Sequence, residues 1–128
     1  MKRSLLLMGI GALAMATAAD AHHSFAKDYQ EEKQVTLEGD IVSFDLRNPH
    51  SWVYFNATDG TGVARQYGAE WANRRRLEQQ GIAQTSLKAG DHVIVTGAPS
   101  RSATTYSVHL RSIRRTTDGW SWPSRGRR

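Results

Sequence analysis

The sequence predicts a mainly β protein: a small five-stranded OB-like barrel with one short helix between its third and fourth strands. Three observations point there. Short runs rich in β-branched and aromatic residues alternate apolar with polar positions. Turn signals such as Asn48-Pro49, Asp59-Gly60 and Gly90-Asp91 separate those runs. A single stretch of helix formers follows the third run. The order β-β-β-α-β-β with a bent first strand is that of an OB-fold, whose face and loops bind ligands. Another small barrel, or a sandwich missing strands, is the alternative. There is no internal repeat.

The first strand is QVTLEGDIVSFDL, Gln34–Leu46. Val35, Leu37 and Ile41 share one alternation phase, and Val42, Phe44 and Leu46 share the other. The face therefore changes near Gly39, which predicts a bulge or sharp bend at that glycine. Pro49 cannot donate to a ladder and holds Asn48 extended, so LRNPH is a loop. SWVYFNAT is a second strand, DGTG a turn and VARQYGA a third strand. ANRRRLEQQGI (72–82) is helical, with Gly81 at a left-handed C-cap and Ile82 folding back onto Leu77. LKAGDHVIVTGAP carries the fourth strand and TYSVHLRSIRR the fifth. In the second strand Val53 and Phe55 share one face and Trp52 and Tyr54 the other, so one face is core.

The N-terminus reads as a secretory signal. Lys2 and Arg3 precede an apolar run, Leu5–Ala16, too short for a spanning helix of about 20 residues. Ala19-Asp20-Ala21 fits a small-x-small cleavage site, and a cut after Ala21 makes His22 the new N-terminus. No later segment is apolar enough to span a bilayer. The expected organisation is a signal peptide (1–21), an N-terminal segment (22–33), the barrel (34–116) and a basic tail (117–128). Removal of the signal leaves His22–Arg128, a length for one domain. Loss of Lys2, Arg3 and Asp20 lowers the net charge from +5 to +4. There is no cysteine, so disulfides, thiolate metal sites and thiol chemistry are excluded. The C-terminal stretch Leu110–Arg128 holds six arginines against Asp118 alone. It reads as a loose, solubilising tail beyond about Thr116, with Trp120 and Trp122 as anchors onto the domain.

AHHSFAKDY (21–29), followed by VTLEGDIVSFDLRNPHSWVYF (35–55), resembles a family of small exported bacterial proteins of unknown function. In that family His-His-Ser-Phe follows the signal peptide, a glycine sits in the first strand, and Asn-Pro-His precedes the second. The likeness extends into LKAGDHVIVTGAP. It implies an exported β domain, periplasmic or secreted. It supplies no catalytic residue.

Function must then come from side-chain chemistry. A chain beginning at His22 offers an amine and an imidazole that together chelate one metal ion. With a second imidazole this is a nitrogen-rich, T-shaped set suited to Cu(II). His50, presented by the Pro49 loop, is the expected second imidazole, and His23 and His109 are supplementary candidates. His109 alternates opposite Val108 and Leu110, and so points away from their core face. His92, beside Asp91, reads as a turn residue. A cut after Ala19 would instead place His22 third, where amine, amides and imidazole form a square-planar copper or nickel set. A cut after Ala18 would leave neither arrangement. The competing structural readings are a polar leader for His22 and His23, and a loop hydrogen bond for His50 with Asn48 making an Asx turn. Glu31-Glu32 reads as a solvated linker.

The alternative to a metal role is a binding module. Trp52, Tyr54 and Arg65 on an OB-like face would receive a periplasmic peptide, glycan or protein partner. Export argues against nucleic acid. Copper-dependent oxidation ranks below binding, because no residue names a substrate surface. The sequence thus points to an exported protein that binds a ligand, with copper as the candidate cofactor.

Overall fold

Eleven residues of strand let β1 (Val35–Asp45) serve two neighbours. Its first half pairs antiparallel with β4 (His92–Pro99), from Val35 opposite Gly97 to Asp40 opposite His92. Its second half pairs antiparallel with β2 (Trp52–Thr58), from Gly39 opposite Ala57 to Asp45 opposite Trp52. The remaining elements are β3 (Ala64–Glu70), α1 (Arg74–Gln79), a 3₁₀ turn (Gln84–Ser86), β5 (Ser107–Arg115) and β6 (Ser121–Trp122). The structure, a computed structural model, describes residues 25–124.

The strands run in the order β3-β2-β1-β4-β5-β6, and a parallel pairing of β3 with β5 closes the first five into a mixed barrel. The OB-like barrel expected from the sequence is therefore present, with α1 between β3 and β4. Closure leaves the alternating inward residues of every strand facing one core. Val53 and Phe55 of β2, Val93 and Val95 of β4, and Val108, Leu110 and Ile113 of β5 are all buried in it. Among the described residues, no helix is long and apolar enough to cross a membrane.

The face change in β1 falls three residues later than the sequence suggested. Ile41 pairs with Phe55 and Ser43 with Tyr54, so Val42 is the extra residue of a bulge. Val42 is 41% exposed, while Ile41 and Phe44 on either side are buried. It therefore does not share the inward face of Phe44 and Leu46. Gly39 has a different cause. A Cβ there would lie 1.7 Å from the backbone oxygen of Asn56, so the two strands approach too closely for any side chain.

Helix α1 starts where Asn73 accepts from the Arg76 amide at 2.8 Å. It ends at Gly81, whose φ of 82° permits a Schellman closure. Gly81 N–H donates to the Glu78 carbonyl and Ile82 N–H to the Leu77 carbonyl, both at 3.0 Å. Leu77, Ile82 and Leu87 thereby enter the core.

The expected loose tail is held against the barrel as far as the structure describes it. The Arg115 guanidinium grips Asp118 at 2.9 and 3.0 Å and lies over the Trp120 ring. Trp122 meets the buried Trp71 edge-on, with centroids 4.9 Å apart, and donates from Nε1 to Gln80 at 2.7 Å. The two tryptophans supply apolar surface that the polar composition of this stretch masks. Residues 125–128 lie outside the described residues.

Candidate functional site

The parallel register of β3 and β5 sets Glu70 beside His109, and the β2–β3 register sets Glu70 beside Trp52. One carboxylate therefore stands where three strands meet. The loop between β1 and β2 brings His50 to it. His50 Nδ1 lies 2.6 Å from Glu70 Oε1, with the two side chains 33% and 15% exposed. The other oxygen of Glu70 accepts from the Tyr29 hydroxyl at 2.5 Å. Tyr29 is only 3% exposed. Burial, and then the bond to Glu70, push its pKa well above the ordinary phenol value, so it remains a protonated donor.

His109 is anchored in the same manner from the other side. Its Nδ1 lies 2.7 Å from Glu31 Oε1. Arg111 steadies Glu31, contacting its carboxylate at 3.4 Å and its backbone carbonyl, and reaches the Lys33 carbonyl at 2.9 Å. Arg111 is free to do this because it is the extra residue where the β4–β5 register shifts.

Phe25 joins the two imidazoles. It begins a helical turn over residues 25–28, closed by Tyr29 N–H donating to its carbonyl at 2.8 Å. Its ring stacks on His109 with centroids 3.8 Å apart and planes 5° apart. The His50 ring lies 5.0 Å from the same centroid. A carboxylate oxygen accepts, so Nδ1 carries a hydrogen in both rings, and in a neutral imidazole Nε2 would then bear the lone pair. Neither Nε2 makes a hydrogen bond among the described residues. A histidine fixed through Nδ1 by a carboxylate, with Nε2 making no hydrogen bond, has the orientation of a metal ligand.

The sequence candidates divide accordingly. His50 and His109 come together around Phe25. His22 and His23 lie outside the described residues. His92 lies elsewhere, at the start of β4, with Nδ1 2.7 Å from Asp40 and Nε2 2.9 Å from Glu38. Those two carboxylates raise its pKa, Asp40 first. Among the described residues, no group of three or more His, Cys, Asp or Glu is arranged to hold a metal ion. They offer a pair of imidazoles and no complete ligand set.

Trp52 and Tyr54 stack on the outer face of β2, 5.9 Å apart and 7° from parallel. Arg65 does not join them. It stands opposite Ala57 in the inward row, pairs with Asp59 at 3.1 Å and lies over the Tyr106 ring. Asn48 does not close an Asx turn on its own loop. Its side-chain oxygen accepts from the Arg74 amide at 3.2 Å. Glu31 is no solvated linker residue, since it holds His109. Sequence reasoning missed Phe25, Tyr29, Glu31 and Glu70 as members of the site. The sequence signals for any of them were Phe25 and Tyr29, both inside the AHHSFAKDY stretch that carries the family resemblance.

Fold and site together define a class: a small OB-like β-barrel carrying two carboxylate-anchored histidines against one aromatic ring. Within that class the chain belongs to DUF6152, a family of unknown function whose model matches residues 11–109. No curated protein and no solved structure matches the chain.

Proposed function

We propose that this is an exported, periplasmic or secreted, binding protein that holds Cu(II) through His50 and His109, together with His22 as a new N-terminus. The observation that carries the reading is the paired anchoring: each Nδ1 is bonded to a carboxylate, each Nε2 is open, and both rings lie against Phe25. His22 is three residues from Phe25, and three peptide steps reach about 11 Å at most. A chain cut after Ala21 would thus begin within reach of the pair, with His23 as an additional donor.

Ligand chemistry favours the oxidised metal. The chain has no cysteine, and its three methionines, Met1, Met8 and Met15, all fall in the segment read as a signal peptide. The soft sulfur ligands that select Cu(I) are missing from the proposed mature chain, whereas imidazole and amine nitrogens suit Cu(II). Storage or delivery needs only this ligand set.

The test is intact mass of the exported protein, purified without an N-terminal tag, followed by Cu(II) competition titration and electron paramagnetic resonance. The expected chain starts at His22 and binds one nitrogen-coordinated Cu(II). His50→Ala should weaken binding by more than about 100-fold, beyond what an outer hydrogen-bond partner contributes. His92→Ala should leave it unchanged. Equal affinities for the two variants, or equal binding by an N-terminally extended chain, would remove the proposal.

A further inference from the structure

Tyr29 and Glu70 also line a cleft of about 360 Å³. This is the lower end of the volume range of small-molecule sites. It opens between the helical turn at 25–28, Trp52, and the loop that joins β4 to β5. Apart from Tyr29 and Glu70, the metal reading uses none of its lining.

Its lining is specific in kind. Trp52 and Tyr29 are its aromatic walls, Glu70 adds a carboxylate, and the other lining residues are polar or charged. Ser102 and Thr105 present hydroxyls from the loop, Lys27 and Arg101 are cationic, and Asp28 is anionic. There is no aliphatic side chain to receive an apolar ligand. Charges of both signs stand close together, which disfavours a simple anion. An added peptide strand has no backbone edge here, because Gly68–Glu70 already pair with Ser107–His109.

Trp52 is held flat. It and Tyr54 close over Gly68, where a Cβ would lie 3.1 Å from the Trp52 ring and 3.3 Å from the Tyr54 ring. Filling the gap over a glycine accounts for the stack. It does not account for the hydroxyl and charged groups gathered around the cleft that Trp52 lines. A fixed aromatic face flanked by hydrogen-bond donors and acceptors matches a pyranose ring, which offers a C–H face to the aromatic and hydroxyls at its rim.

The geometry points to a saccharide site: this cleft binds one pyranose unit, stacked on Trp52 and hydrogen-bonded by the Ser102–Thr105 loop, Lys27, Asp28 and Arg101. The inference does not depend on copper.

The experiment is a ¹H–¹⁵N NMR titration of metal-free protein with glucose, galactose and N-acetylglucosamine in turn, and with inorganic phosphate as the anionic probe. The Trp52 indole signal should shift saturably with at least one sugar, together with amides of residues 101–107. Arg101→Ala should weaken that sugar by about tenfold. Trp52→Leu, which removes the indole reporter itself, should abolish the shifts of the 101–107 amides, and Arg101→Ala keeps the test decisive if Trp52→Leu fails to fold. Three results would each overturn the inference: no saturable shift with any of the three sugars, saturation by phosphate alone, or shifts confined to the Trp120 and Trp122 indoles. Because the protein is metal-free, a failure here leaves the copper titration untouched.

Discussion

Glu70→Gln separates the two jobs of one carboxylate. In the native site Glu70 accepts from two donors, His50 Nδ1 and the Tyr29 hydroxyl. The amide keeps one carbonyl oxygen and turns its other end into a donor, so only one of the two retains its acceptor. A buried donor left unpaired costs about 1–3 kcal/mol. Tyr29 is 3% exposed, whereas the His50 side chain is 33% exposed and can turn to water. The carbonyl should therefore stay with Tyr29 in most molecules. The expected stability loss is then near the low end, about 1 kcal/mol. His50, released from its anchor, should lose Cu(II) affinity by about 10–100-fold. Urea unfolding followed by tryptophan fluorescence measures the first quantity, and competition titration the second. Adding Tyr29→Phe removes the competing donor and returns the carbonyl to His50, so the double variant should recover part of the copper affinity. Glu70→Gln with native affinity, or a double variant that binds no better than Glu70→Gln, would refute the reasoning.

Two further outcomes follow from geometry outside the site. Gly39→Ala should destabilise the barrel by about 3 kcal/mol, the upper part of the overpacking range, because its Cβ would enter the backbone of Asn56. A loss in urea unfolding below about 1 kcal/mol would mean that β1 and β2 separate more easily than this packing implies. His92 should titrate above the ordinary 6.5 in an NMR pH series, and Asp40→Asn should lower its midpoint. The sign is fixed by linkage: a pKa raised on folding supports the folded state while His92 is protonated, and that support fades as pH rises through the raised value. A midpoint at or below 6.5 would show that Asp40 and Glu38 do not hold the ring in solution.

The strands and the helix were legible because each carries a local period and a local stop. Gly81 and Ile82 announced the end of α1, and the structure uses both. The bulge was misplaced because a glycine inside a strand has two causes, a change of face or a close approach. Gly39 has the second, and Val42, which looks like an ordinary strand residue, carries the first. The binding face was misread for a related reason. Arg65 and Trp52 are both strand residues, but only the β2–β3 register reveals that Arg65 belongs to the inward row. The histidines could be picked out by type and by their neighbours. Their carboxylates could not, since Glu70 is 20 residues from His50 and Glu31 is 78 from His109. The closing β3–β5 pair, which is parallel and non-local, brings Glu70 alongside His109.

Two partly exposed histidine–carboxylate contacts also admit a plainer role, as ion pairs tying loops to the barrel rim. The two roles require opposite protonation states. An ion pair needs imidazolium, with hydrogens on both ring nitrogens, and it strengthens as pH falls. A metal ligand needs the neutral ring with a lone pair on Nε2, so affinity declines as protons compete for that nitrogen. Exposed pairs of this kind contribute at most about 1 kcal/mol, which is a weak reason to stack both imidazoles against one phenylalanine. The stacking does have a use if Nε2 matters. Phe25 covers a ring face of His109 and lies against His50, while a carboxylate bonds each Nδ1, so each ring is held without a hydrogen bond at Nε2. Glu31 and Glu70 come from separate parts of the chain, yet each bonds the Nδ1 of a ring that lies against the same phenylalanine. This shared neighbour is what the proposed copper reading explains and two independent surface contacts do not.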